Sequence, residues 1–342
     1  MFQSPATASI NGLLSDLNLK IEQVFLPLLS GVSRAVLLGF PDHKNVGDSA
    51  IWCGERRFLE RHQVRILYTC DYGTPIHDVP QHLLNENTVI LLHGGGNIGD
   101  LWSEPQEFRE QIMTRYRSHY IIELPQSIHF SDEGNLNRFA DIVRRCERYV
   151  LLARDEESLR VAREELGANA MLCPDMAFCL RALPRFAPPV KDIVWLLRRD
   201  KESVVNAPVH VLADDWTDDG LWLRYRMLRR ILRVLNNYPR RLRYVRLITL
   251  RRIYDTIAWG RLLNGCRLLG QGRVVITDRL HGHIISLLMG VPHVILDNSY
   301  GKVSRFYQTW TYGSALTRLA TTVEEARSRA AELLAAFQER RV

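Results

Sequence analysis

The sequence predicts an α/β protein made of two Rossmann-like lobes, with mainly parallel sheets and a cleft between them. Short apolar runs alternate with helical stretches along most of the chain, and parallel strands require such crossovers. A proline-rich break, ALPRFAPPV at 182–190, interrupts the alternation near the middle. A length of 342 residues also exceeds what one hydrophobic core usually supports.

Taken in order, residues 7–29 place Ile10, Leu13, Leu14, Leu17, Ile21, Val24, Phe25 and Leu28 at near-helical spacing, predicting a leading amphipathic helix. Strands are expected at 34–40, 64–69, 88–93, 120–124, 149–153 and 170–172. After the break they resume at 192–197, 244–249, 273–277 and 293–296, with helices near 220–237, 253–264 and 282–289. The expected division is a first lobe over 1–181, a second over 190–321, and a final helix over 322–342 that packs back across the lobes.

Lys and Arg total 45 against 38 Asp and Glu, a net charge of +7 that favours anionic partners. The six cysteines form no Cys-x-x-Cys pair and read as buried thiols in a reducing compartment. Asp16, Lys20, Glu22 and Gln23 break the first thirty residues, so no secretory signal is expected, and no window holds the roughly 18 apolar residues of a spanning helix. Residues 221–252 are dense in arginine and interleaved with Leu221, Trp222 and Leu228. That pattern suits an anionic membrane surface, while a solvated helix face is the ordinary explanation.

Ligands of open parallel sheets collect beyond the carboxyl ends of strands, which selects a few loops. The first holds Asn45, Gly47 and Asp48 at the start of a helix, where Asp48 serves either as a cap or toward a ligand. The second is His93-Gly94-Gly95-Gly96-Asn97, whose successive glycines suit close backbone approach to a ligand. Gln126, in a loop after the 120s strand, and Arg154, after the 150s strand, follow. On local evidence Arg154-Asp155 reads as a helix-capping ion pair ahead of a direct ligand contact, and Pro174-Asp175 as a turn. In the second half, Arg198-Arg199 and Asp278-Arg279-Leu280-His281-Gly282-His283 put guanidinium and imidazole groups beside a helix N-terminus, an anion site with a proton donor. Asp278, His281 and His283 lack an established metal-ligand spacing, so no metal is expected. Asp214-Asp215 and Asp218-Asp219 read as helix caps.

Asn45-Val46-Gly47-Asp48, His93-Gly94-Gly95-Gly96-Asn97, Pro125-Gln126-Ser127, Ala153-Arg154-Asp155, Pro174-Asp175 and Asp278-Arg279-Leu280-His281-Gly282 occur in one order. Together, across about 34–310, they resemble the polysaccharide pyruvyl transferase family. The resemblance implies a glycosyltransferase-B-like pair of lobes and transfer of the enolpyruvyl carbons of phosphoenolpyruvate onto a sugar, forming a cyclic ketal and releasing phosphate. Phosphoenolpyruvate would be the donor substrate, with no cofactor. Arg279, with Arg198 or Arg199, and His281 would hold it in the second lobe. His281 would protonate the methylene carbon, and Asp48, on the acceptor side in the first lobe, would take the proton of the attacking hydroxyl. Asn45, Gly47, His93, Gly94, Gly95, Gly96, Asn97, Gln126 and Arg154 would contact donor or acceptor. The implied acceptor is a bacterial exopolysaccharide sugar on a polyprenyl diphosphate, modified by a cytoplasmic enzyme peripheral to the inner membrane face. Two rival readings are a nucleotide-sugar glycosyltransferase and a non-catalytic basic protein binding membrane or nucleic acid. The latter leaves the glycine loop and the Asp-Arg-Leu-His-Gly segment unexplained, and nucleic acid is not an expected partner.

Overall fold

The computed structural model describes residues 5–75, 79, 81–198, 216, 227, 243–297 and 301–338. Seven strands of the first half form one sheet: β1 (Arg34–Phe40), β2 (Arg65–Asp71), β3 (Thr88–Leu92), β4 (Gly95–Gly99), β5 (Tyr120–His129), β6 (Arg148–Ala153) and β7 (Asn169–Leu172). Their order is β2-β1-β3-β5-β6-β7, with β4 beside β5, and every pairing is parallel. The second half gives a parallel sheet of β8 (Lys191–Leu196), β9 (Gly272–Thr277), β10 (His293–Leu296) and β11 (Thr317–Ala320), ordered β11-β10-β9-β8. These are two Rossmann-like α/β lobes, without a closed barrel. Strands such as TVILL in β3 are buried along their whole length because helices cover both faces.

The helices are α1 (Pro5–Leu28), α2 (Val46–Arg61), α3 (Ser103–Arg115), α4 (Glu133–Arg145), α5 (Glu156–Arg160), α6 (Arg243–Gly270), α7 (Leu280–Leu288), α8 (Lys302–Phe306) and α9 (Val323–Gln338). In α1, the predicted stripe of Ile10, Leu14, Leu17, Ile21 and Phe25 is buried, with Phe25 stacked 4.8 Å from Phe58 of α2. The final helix, α9, buries Ala326, Ala330 and Leu333 on the second sheet. Among the described residues, no helix is long and apolar enough to cross a membrane.

Three local expectations are corrected. Residues 244–249 belong to α6 and not to a strand. The helical spacing of buried Ile253, Ile257, Leu262 and Cys266 extends back through them without a Gly or Pro to stop it, and context overrides the β-branched composition. The glycine loop forms β4, and 124–129 forms the second half of β5. Pro125 fits there because it sits at a register shift between β5 and β6, where its missing N–H is tolerated. Apart from Met227, which is helical, the expected helix at 220–237 lies outside the described residues, as does most of the arginine-dense 221–252 stretch.

The strand order reverses at β1: β2 lies on one side and β3 on the other. That switch point opens a crevice beyond the carboxyl ends of β1 and β3. α2 leaves this crevice buried between the lobes, against α6, α7 and the 3-10 turn Met176–Leu180.

Candidate active site

A cavity of about 640 Å3 occupies the crevice, walled by both lobes. On the first-lobe side, Asn45 caps α2 through Oδ1, which accepts the Gly47 N–H at 3.0 Å. Its Nδ2 donates to Asp48 Oδ2 at 2.8 Å, and His43 Nε2 lies 3.3 Å from the same oxygen. Burial pushes the Asp48 carboxyl up, but the fields of His43, His281, His93 and Lys302 outweigh it and hold the group below its ordinary value. Asp48 therefore faces the cavity as a carboxylate.

Asp175 joins the two lobes beneath the cavity. Its Oδ2 accepts from Arg154 Nη1 at 2.6 Å and lies 3.3 Å from His281 Nε2, while Oδ1 accepts the Ala177 N–H at 2.9 Å. Burial alone would raise its carboxyl, yet His281, Arg154 and the amide hold it well below the usual range. Arg154 is fully buried; its Nε donates to Ser127 Oγ at 2.9 Å, and its Nη2 has no partner among the described residues. At Gly96 a Cβ would stand 2.7 Å from that Nη2 and 2.3 Å from Lys302 Nζ, so only glycine lets both cations converge there.

On the second-lobe side, Arg279 precedes α7 and places its guanidinium 5.8 Å from the Trp216 ring centre. Asp278, between the two arginine positions, accepts the Arg198 N–H at 2.8 Å. Burial raises its carboxyl to about 6 against the opposing pull of that N–H, Arg279 and Arg198. His281 sits in the first turn of α7, with its ring pressed on Gly47, where a Cβ would lie 2.4 Å from His281 Nδ1.

Behind the cavity lies a buried polar frame. Glu55 of α2 accepts the Gly94 N–H at 2.8 Å and faces His93 Nδ1 at 2.9 Å. Burial opposes charge on His93, but Glu55 more than compensates and raises its pKa. Gln126 donates to the His93 carbonyl at 2.8 Å and accepts the Asn97 N–H at 3.2 Å. Arg109, paired with Glu123 at 3.0 Å, fixes Asn97 Oδ1 at 2.6 Å, and Asn97 Nδ2 donates to Tyr72 Oη at 3.1 Å.

The structure brings Asn45, Asp48, Gly96, Asn97, Arg154, Arg198, Arg279 and His281 to one cavity. Gly47 instead supports His281, whereas His93, Gly94, Gly95 and Gln126 lie behind the lining and shape it. Arg199 lies outside the described residues. Sequence reasoning missed Lys302, Tyr72 and Trp216, which also line the cavity, and it left Asp175 as a turn. Lys302 follows the carboxyl end of β10, so the strand-end rule was the signal that could have found it.

Residues 45–300 match the family described as polysaccharide pyruvyl transferase. The chain is 30% identical over 315 residues to Pyruvyl transferase 1 of Schizosaccharomyces pombe, covering 86% of this chain and 74% of that protein. It is 30% identical over 302 residues to EpsO of Bacillus subtilis, whose assigned name is that of a pyruvyl transferase, covering 86% of this chain and 90% of that one. The crystal structure of a functionally uncharacterised Klebsiella pneumoniae protein superposes with a TM-score of 0.61 at 20% identity, covering 90% of this chain and 99% of that one, a likeness of fold.

Proposed function

The chain belongs to the polysaccharide pyruvyl transferase family, transferases that place a pyruvyl group on polysaccharide, and on that premise we propose that it uses phosphoenolpyruvate to build a cyclic ketal on a sugar. The carrying observation is the convergence of Arg154 Nη2 and Lys302 Nζ beside Gly96, in the cavity that also holds Arg279, His281 and Asp48. Asp175 pairs with Arg154 from beneath, and on the cavity side a phosphate and a carboxylate would give the cluster two further anions. Arg279 and Arg198 add fork-shaped donors from the opposite lobe.

His281 delivers a proton to the methylene carbon, making the adjacent carbon electrophilic. One sugar hydroxyl adds there and a second displaces phosphate. Two C–O bonds form, the C–O bond to phosphate breaks, and the two hydroxyl protons balance the new methyl C–H and the protonated phosphate. Asp48 accepts a hydroxyl proton, because an anionic carboxylate suits the acceptor side better than the phosphate side. The acceptor in this reading is a polyprenyl-diphosphate-linked exopolysaccharide unit met at the cytoplasmic membrane face. The arginine-dense 221–252 stretch supports that choice.

The test is to incubate the purified full chain with isotope-labelled phosphoenolpyruvate and oligosaccharides, both free and lipid-linked. Label should reach the sugar with equimolar phosphate release, and in heavy water the ketal methyl should gain one deuterium. His281→Ala should abolish transfer. Consumption of a nucleotide sugar with phosphoenolpyruvate untouched would overturn the reading, and equal use of free and lipid-linked sugar would remove the lipid carrier from it.

A further inference from the structure

We propose that His43 is a proton-relay residue, carrying to solvent the proton that Asp48 takes from the acceptor hydroxyl. This rests on the reading of Asp48 as base and adds an exit for the proton. The two Asp48 oxygens have different surroundings: Oδ2 is engaged by Asn45 Nδ2 at 2.8 Å and by His43 Nε2 at 3.3 Å, while Oδ1 faces Gly95 of the glycine strand. Asp48 and His43 both line the cavity, and Oδ2 is the oxygen from which His43 can draw a proton. The carrier is the more open of the two, with 50% of the His43 side chain exposed against 19% for Asp48.

Proton abstraction would leave Asp48 as a carboxylic acid in a field of cations that favours the carboxylate, so the proton must leave before the next turnover. The Asn45 amide cannot carry it, and His281 is occupied delivering a proton to carbon. A neutral His43 bearing its hydrogen on Nδ1 accepts the Asp48 proton at Nε2 and releases the Nδ1 hydrogen to water. Burial lowers the His43 pKa and outweighs the charged groups facing it, so the resting ring is neutral and the imidazolium short-lived: Asp48 and Asp42 favour the imidazolium, and Arg261 and His93 oppose it. One proton leaves through His43 and His281 recovers one from water, so the cycle balances.

His43→Ala and His43→Gln should each lower kcat by about tenfold or more, with the KM for phosphoenolpyruvate little changed and the thermal midpoint unmoved. Added imidazole should restore turnover to His43→Ala, and the rescue should follow the concentration of neutral imidazole as pH is varied. Undiminished kcat, a rise confined to the KM for phosphoenolpyruvate, or a loss that imidazole does not restore would each overturn the relay. Failure of the wild-type chain to transfer pyruvate would instead overturn the function proposed above, which keeps the two outcomes separate.

Discussion

Gly96 and Gly47 are each shaped by a close approach, but a methyl group added at one should fail differently from one added at the other. At Gly96 it would meet Lys302 Nζ at 2.3 Å and Arg154 Nη2 at 2.7 Å. Lysine can retreat along its flexible stem, whereas Arg154 is pinned by Ser127 and Asp175. Gly96→Ala should therefore spare the fold and, with phosphoenolpyruvate as the proposed donor, raise its KM by about tenfold, roughly one lost charge-assisted hydrogen bond. At Gly47 the methyl would strike the His281 ring at 2.4 to 2.8 Å, and Asp175 holds that ring from the far side. Gly47→Ala should reduce kcat and also destabilise the chain by about 1–3 kcal/mol through overpacking between α2 and α7. Steady-state kinetics beside thermal melts separate the two, and identical behaviour would refute the distinction. At this scale the sequence exposed groups at strand ends, Arg279, His281 and Arg154 among them. It hid Asp175 and Glu55, whose partners lie 106 and 38 positions away.

The second sheet is held to its helices by two histidines, His283, which the sequence marked only as a rejected metal ligand, and His293, which it did not mark. His293 Nδ1 bonds the Val291 carbonyl at 2.8 Å, so its Nε2 is the acceptor for His283 Nδ1 at 2.7 Å, and His283 Nε2 in turn meets Thr311 Oγ1 at 2.9 Å. The chain of bonds ties β10 to α7 and to the turn Tyr307–Thr311 and requires His293 neutral, so that its Nε2 can accept. Burial lowers His293 to about 4; burial and then His293 push His283 well below its ordinary value. Between the ordinary histidine value near 6.5 and about 4, the unfolded chain binds protons that the folded chain refuses. Stability from this pair is thus intact above that window and falls as pH drops through it, by about 1.4 kcal/mol per pH unit for each histidine. Asp278 acts oppositely, since its pKa is raised by burial to about 6 and the folded chain keeps a proton that the unfolded chain releases. The two histidines outnumber Asp278 in this window and should together lower the urea midpoint on acidification. His293→Gln should be less stable at neutral pH but depend less steeply on pH below it, and a variant retaining the wild-type slope would exclude the pair. Among elements, continuously apolar strands such as β1 and β3 were legible, because burial on both faces leaves that signature. β4 was not, since three glycines and an asparagine carry no strand propensity and pairing to β5 alone makes it extended.

The two α/β halves around a proline-rich break were legible in composition, but what fixes one half against the other was not, because those contacts join residues about 200 positions apart. Asp255 of α6 accepts Arg56 Nε at 2.9 Å, Arg56 Nη2 at 3.1 Å and Trp52 Nε1 at 3.1 Å, all from α2. Nearly two turns on, Arg261 donates to the Pro41 carbonyl at 3.1 Å, at the foot of the loop bearing His43 and Asn45. Close packing accompanies this clasp, since a Cβ at Gly265 would come within 2.4 Å of Val46 Cγ1. The first turn of α2 carries Asp48, so the distance from this proposed base to the His281 wall is set by α6 as much as by the sheets. Asp255→Ala should therefore cost about 1–3 kcal/mol, as Arg56 and Trp52 lose their acceptor. That is less than for a fully buried pair, because Arg56 and Asp255 remain 22% and 24% exposed. It should also lower kcat/KM although Asp255 does not line the cavity, since small displacements of positioned groups are expensive in rate. Asp255→Asn, which keeps an acceptor for Trp52, should recover part of both losses. In a double-mutant cycle, Arg56→Ala and Asp255→Ala should be non-additive in stability and in kcat/KM alike. Coupling seen in stability alone would mean that the clasp holds the fold without setting the geometry of the cavity.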